Sequence, residues 1–350
     1  MSGRAEGASR TAARKDLLAY LERLGKSHGE VRRVEAYRSR GWPARRIAAE
    51  AERVAGELAA RGIGPGERVA LWMSDGPLWQ AAFFGVLRAG AVAVPLEASA
   101  DPIAARDASE ALGIAGWCTD AEAPRPEIDA IELVWRSSAL PADRTTADSA
   151  ARASPPLPPD APDRPAEIVL TSGTSMAARP VPVGHGNVRA VLDALEAGID
   201  PYRRWMRIAP RLRIACALPL SHLYGQVMGV FVPPLLDADA IHLAPMPAPD
   251  LARSLRRERA WVLATVPRTL ALLAVWLRAR GVARWGAEGF EERLAEPRAA
   301  RGGRAPSCSP RSGSSWARGS WRSCRAGPRS ILPRPSCGAC WGMPSSRGTG

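Results

Sequence analysis

The chain has 350 residues, 46% of them hydrophobic, six cysteines and a formal net charge of +13. That length and apolar content suffice for two or three compact units with real cores, and they exclude a disulfide-dense small scaffold. No apolar run reaches the roughly eighteen residues of a membrane span, and no apolar stretch follows the charges of the N-terminus (MSGRAEGASRTAARKD), so neither a membrane span nor a secretory signal is expected and a cytoplasmic protein is the default. The positive charge is local: residues 297–350 hold ten Arg and no Lys, Asp or Glu, which leaves 38 basic against 35 acidic groups in the first 296 residues.

In chain order, residues 44–62 carry apolar side chains at Ile47, Ala51, Val54, Ala55 and Leu58, the spacing of one helical face, and Gly62 with Gly64-Pro65-Gly66 ends it. A short strand is predicted over 68–73 (RVALWM), a helix over 78–88 and a second strand over 91–96 (AVAVPL). Strand, helix and strand joined by short connections make a parallel α/β unit. The alternation continues more weakly through 103–112, 114–118 and 128–135. Residues 153–163 (ASPPLPPDAPD) form a proline-rich break. Beyond it the alternation resumes at 167–170, 187–197, 214–218, 224–236, 251–257, 261–264 and 269–278. The expected fold class is therefore α/β: two stacked lobes with mixed, largely parallel sheets, over residues 1–152 and 166–296, joined by a linker at 153–165. After about residue 296 Ile331 and Leu332 are the only Val, Ile, Leu or Phe, too little to offset chain entropy, so disorder is expected there.

The chemically informative stretch is residues 168–185, IVLTSGTSMAARPVPVGH. A buried-type strand runs into small and hydroxylated residues, Thr171, Ser172, Gly173, Thr174 and Ser175, followed by Arg179. Successive backbone N–H groups, hydroxyls and a guanidinium in such a loop suit an anion; an ordinary polar loop has the same composition. A second stretch, residues 218–225 (LPLSHLYG), places His222 at the end of a strand, where a simply hydrogen-bonded histidine fits equally well.

Together these segments resemble the AMP-forming acyl- and aryl-CoA synthetase, luciferase and adenylation-domain superfamily. Its phosphate loop reads T-S-G-T-T-G-x-P-K-G-V followed by T-H, and its L-P-x-x-H motif matches the stretch at His222. Residues 58–71 (LAARGIGPGERVAL), 84–96 (FGVLRAGAVAVPL) and 261–270 (WVLATVPRTL) resemble further family segments, and the likeness runs from about residue 35 to 293. The chain departs from the pattern at Met176 and Pro180, where the family has glycine, at Ala178 for proline, Arg179 for lysine and Gly184 for threonine. Lost glycine removes the positive φ and close approach that a phosphate loop uses, so weaker nucleotide binding is expected.

The resemblance implies an ATP-dependent ligase that converts a carboxylic acid to acyl-AMP and passes it to coenzyme A or a carrier-protein thiol, with Mg²⁺ on the phosphates. The apolar helix after His222 (YGQVMGVFVPPLL), built from small and medium residues, favours a fatty acid, and core packing would use the same residues. The resemblance assigns phosphate binding to Thr171, Ser172, Gly173, Thr174, Ser175 and Arg179 and a place beside the acyl carboxylate to His222; His185 is expected to be structural or to support the site residues from behind. The family's Y-G-x-T-E and T-G-D motifs and its C-terminal lysine domain do not occur in the 350 residues. Shifting permissible codons of the tail by two bases yields V-L-G-H-A-V-V-Q-G-Y-G from residues 339–350 and A-L-V-S-G-G-A-A-L-D-P from 321–333, so residues 297–350 are expected to be a frameshift product and the chain inactive as translated, or a non-catalytic nucleotide- or acyl-binding remnant. A basic nucleic-acid-binding arm and a zinc site at Cys337 and Cys340 are the weaker readings of that tail.

Overall fold

The computed structural model describes residues 14–120, 131–133, 155–171, 179–202 and 211–299. Residues Met1–Arg278 form one compact unit and Ala279–Gly350 a second. The first unit holds two sheets. One has strand order β11-β9-β10-β1-β2, from Val262–Ala264, Arg213–Cys216, Asp239–Leu243, Glu30–Val34 and Ser39–Pro43. The other runs β6-β5-β3-β4-β7-β8, from Ile131–Leu133, Ile114–Asp120, Arg68–Trp72, Val92–Leu96, Pro165–Thr171 and Arg179–Gly184. All pairings are parallel except β1 with β2 and β7 with β8. This is the mixed, mostly parallel α/β class that the alternation predicts.

The sheets do not divide the chain where the prolines do. The hairpin β1–β2 comes from the first 43 residues yet joins β9, β10 and β11, and β7–β8 follows the proline-rich break yet completes the sheet of β3 to β6. The described part of that break is also docked rather than free. Arg14 Nη2 donates to the Pro158 carbonyl at 2.9 Å, Asp160 accepts the backbone N–H groups of Lys15 and Asp16, and Arg88 Nη1 donates to the Pro155 carbonyl at 2.8 Å. Proline lacks an N–H to donate but keeps its carbonyl acceptor, so arginines can hold such a segment through its carbonyls.

Between the sheets lie α1 (Leu18–Lys26), α2 (Ala44–Ala60) and α3 (Pro77–Arg88). Helix α2 buries the stripe its sequence spells, Ile47, Ala51, Val54, Ala55 and Leu58, and ends before Gly62, whose φ is 76°. Helix α3 is buried on every side, as an all-round apolar helix must be. A Cβ on Gly85 would lie 2.6 Å from Val54, so glycine sets how closely α2 and α3 approach.

Helices α4 (Pro102–Leu112) and α5 (His185–Ile199) follow the pattern. The helix expected over 224–236 is instead interrupted: α6 (Leu223–Gln226), a π turn (Val227–Phe231) and α7 (Val232–Leu236). Pro233 has no N–H for the Gly229 carbonyl four residues earlier, and Gln80 Nε2 takes that carbonyl at 3.0 Å. Phe231 then fills the core edge-on to Tyr20, Phe83 and Phe84. Helix α8 (Ala248–Arg257) and a last helical segment, α9 (Pro267–Ala299), complete the order; α9 breaks at Gly286, with φ 72°. The expected tail lies outside the described residues from 300 onward.

Candidate functional site

In parallel α/β sheets, sites form where the carboxyl ends of neighbouring strands leave loops side by side. Here, in one sheet, β3 ends into Asp75, β4 into Glu97 and β7 into the expected phosphate loop, and in the other sheet β9 ends into the turn that carries His222. Thr171 and Arg179 are register partners across the antiparallel pair β7–β8, so the expected loop is the connection of a hairpin closed by these two residues. Ser172, Gly173, Thr174 and Ser175 lie outside the described residues. Arg179 is exposed at the base of that connection, where a cation suits an incoming phosphate. Pro180 and Pro182 stand in β8, the last strand of its sheet, and an edge strand tolerates a residue without an N–H. The proline at 180 therefore fits its strand, which the motif alone does not reveal.

His222 caps α6 from extended backbone, φ −111° and ψ 138°. Its ring is about half exposed, and Nε2 lies 3.4 Å from Glu97 Oε1. The turn beneath it is fixed from several sides. His222 N–H donates to the Pro219 carbonyl at 3.2 Å, and Leu220 N–H donates to Asp75 Oδ1 at 3.0 Å. Arg33 Nη1 donates to the Asp75 carbonyl at 2.9 Å. Burial raises the Asp75 carboxyl to about 6, against the lowering pull of the Leu220 N–H and Arg33, with Glu97 adding to the rise and His222 opposing it. Asp75, Glu97 and His222 are thus one electrostatic group at the strand ends.

His185 is different. It is fully buried at the start of α5, where Nδ1 accepts the Leu17 N–H at 3.2 Å and Nε2 lies 3.3 Å from Arg164 Nη2. Burial, then Arg164, lowers it to about 4, so it is a neutral structural acceptor.

Sequence reasoning did not single out Asp75, Glu97, Glu167 or Gln226. The signal for Asp75 was present: Ser-Asp-Gly-Pro directly after a predicted strand is a turn at the edge where sites form. Glu167 was legible as the single charge in an otherwise apolar strand. Gln226 carried no such signal. Among the described residues no group of three or more His, Cys, Asp or Glu forms a metal site.

A family model described as AMP-binding enzyme matches residues 27–310. The chain belongs to that AMP-binding enzyme family. Pyochelin synthetase PchE of Pseudomonas aeruginosa is 34% identical over 152 residues, 43% of this chain and 10% of that protein. Sulfoacetate–CoA ligase of Cupriavidus necator is 29% identical over 198 residues, 53% of this chain and 36% of the ligase. The chain thus spans about a tenth and about a third of these two curated relatives. Among solved structures, the inhibitor-bound N-terminal domain of FACL13 from Mycobacterium tuberculosis superposes with a TM-score of 0.57 at 21% identity, covering 74% of this chain and 64% of that one. That likeness shows the AMP-binding fold; the site rests on the residues themselves.

Proposed function

We propose that this AMP-binding chain contributes the phosphate-loop and acyl-carboxylate parts of an acyl-adenylating site. A carboxylate oxygen attacks the α-phosphorus of ATP, the bond to pyrophosphate breaks, and acyl-AMP forms; a thiol of coenzyme A or of a carrier protein then displaces AMP. Arg179, with Thr171, Ser172, Gly173, Thr174 and Ser175, is assigned to the phosphates and His222 to the acid. The observation that supports this reading is the half-exposed His222 ring 3.4 Å from Glu97, the residue that follows β4, which pairs with the β7 strand leading to Thr171. A guanidinium and backbone donors fixed beforehand stabilise charge that grows on phosphate oxygens. Magnesium, which the family resemblance implies, would screen that charge.

The apolar side of the helix after His222 is consumed by the core through Val230, Phe231 and Leu235. A fatty acid is the acid to test first, and a short polar acid bound equally well would withdraw that preference. The relatives named above include a CoA ligase and a synthetase, and a CoA or carrier-protein acceptor is part of the same proposal.

Expressed as these 350 residues, the protein is expected to bind ATP and a dodecanoyl-sulfamoyl-adenosine mimic of the acyl-adenylate, and to release no pyrophosphate. His222→Ala should weaken the mimic roughly tenfold, the loss of one charge-assisted contact, while leaving ATP affinity nearly unchanged. Arg179→Ala should weaken both. Calorimetric titration of the three proteins checks this; equal affinity of all three for the mimic would remove both residues from the site. Pyrophosphate release by the chain would overturn both the expectation of none and the second reading, a binding remnant without chemistry, which Met176 in place of glycine favours.

A further inference from the structure

Gln226 sits fully buried four residues after His222 and grips its turn at two points. Its backbone N–H donates to the His222 carbonyl at 3.1 Å. Its side-chain Nε2 donates to the Leu220 carbonyl at 3.0 Å and to Glu167 Oε2 at 2.8 Å. Glu167, also fully buried, belongs to β7, four residues before Thr171. The other side of the turn is held by Asp75 through the Leu220 N–H. Next to Gln226, a Cβ on Gly225 would collide with the Pro219 carbonyl oxygen, so the helix start is pressed onto the turn. A carboxyl costs free energy in such a place, and an apolar side chain would fill a strand interior more cheaply. The adenylation chemistry proposed above does not use it.

We propose that Glu167 and Gln226 are positioning residues, a side-chain link that ties the turn bearing His222 to the strand entering the phosphate loop, so that occupancy of the nucleotide end and of the carboxylate end of the site is coupled. The identity of those two ends rests on the proposed function; the link itself rests on the hydrogen bonds. Asp75 ties the same turn to the end of β3, and Gln226 bonds both the turn and β7. One further observation gives the link a second state. Glu167 Oε1 and Gln226 Oε1 are buried acceptors with no hydrogen-bond partner among the described residues. A proton on the carboxyl supplies the donor that this pair lacks.

Burial raises Glu167 to about 7, opposed by the Gln226 hydrogen bond, and no charged group adds to either effect. Its register neighbours are Ala93 in β4 and Val183 in β8, both apolar, and the helix side presents Gln226. The link therefore passes near neutrality between a carboxylate that only accepts and a carboxyl that also donates.

The test uses the 350-residue chain, with AMP and dodecanoate titrated singly and together at pH 6 and pH 8. In the unaltered protein, bound AMP should raise dodecanoate affinity several-fold, roughly the 5-fold or more of a modest coupling free energy, with a different factor at the two pH values. Gln226→Leu should leave AMP binding alone and abolish the factor. Glu167→Gln, which keeps an acceptor for Gln226 Nε2 and adds a donor, should retain the factor and make it the same at both pH values. A factor that survives Gln226→Leu, or a pH difference that survives Glu167→Gln, overturns the link. If the unaltered chain binds neither AMP nor dodecanoate, the proposed function fails, and the link is then judged without ligand by hydrogen exchange. Faster exchange of 218–222 and 166–171 together in Gln226→Leu, with protection kept in Glu167→Gln, supports it; unchanged exchange in Gln226→Leu overturns it.

Discussion

Glu167 is the single charged side chain of β7, and its ionisation makes a stability statement with a definite sign. An acid whose pKa is raised on folding, here from 4.5 to about 7, binds more protons folded than unfolded between those values. Its contribution is therefore complete below about pH 4.5 and is lost as pH rises to about 7, a change of about 3 kcal/mol at most. Asp75, raised to about 6, slopes the same way, whereas His185, lowered to about 4, and His242, lowered to about 3 by burial and then Arg33, lose stability as pH falls below 6.5. The four partly cancel, so total stability against pH does not isolate Glu167. The difference between the unaltered chain and Glu167→Gln does: by urea denaturation it should decline from pH 4.5 to 7 and be level outside that window. A level difference throughout would show that Glu167 ionises normally. At this scale motif spacing marks His222 and Arg179 as candidates, whereas nothing in the sequence marks Gln226, because its partners are a carbonyl and a carboxylate that only the fold brings to it.

At the scale of elements, the helices and parallel strands of residues 44–118 were legible because period and punctuation agreed: Ile47 to Leu58 gives a stripe, Gly62 a stop and Arg68 to Trp72 a strand. Three features were not. The hairpin β1–β2 carries arginines at 32, 33 and 40, whose charged ends form pairs such as Arg32 with Glu258, so it lacks apolar alternation. Strand β10 hides His242, which is buried against Gln80. The π turn follows from Pro233 and Gln80 together, and Gln80 lies in a different helix. The approach of α2 to α3 is open to a direct check. Gly85→Ala places a methyl group 2.6 Å from Val54 and 2.9 Å from the Ala51 carbonyl, an overpacking expected to cost about 1–3 kcal/mol. Val54→Ala in the same chain should recover part of that loss. A Gly85→Ala protein as stable in urea as its parent would mean that the helices are free to separate.

Across the whole molecule, the two sheets interleave in sequence, and the described part of the proline-rich stretch is pinned by Arg14 and Arg88. Composition alone cannot distinguish a free proline segment from a docked one, since the decisive partners lie elsewhere in the chain. Near the end of the first unit, Val266, Leu270, Leu272 and Val275 are exposed, Val275 to 69%. Apolar groups left in water favour self-association, so Leu272→Glu with Val275→Glu should shift sedimentation toward monomer at high concentration; no shift would show that these residues do not drive association. In the proposed function, the hairpin at Thr171 and Arg179 and the turn at His222 form two ends of one acyl-adenylate site. The most direct test of that arrangement is calorimetric titration of the 350-residue chain with dodecanoyl-sulfamoyl-adenosine. Saturable binding, weakened by both His222→Ala and Arg179→Ala, is the predicted result; no binding, or binding indifferent to both substitutions, would contradict it.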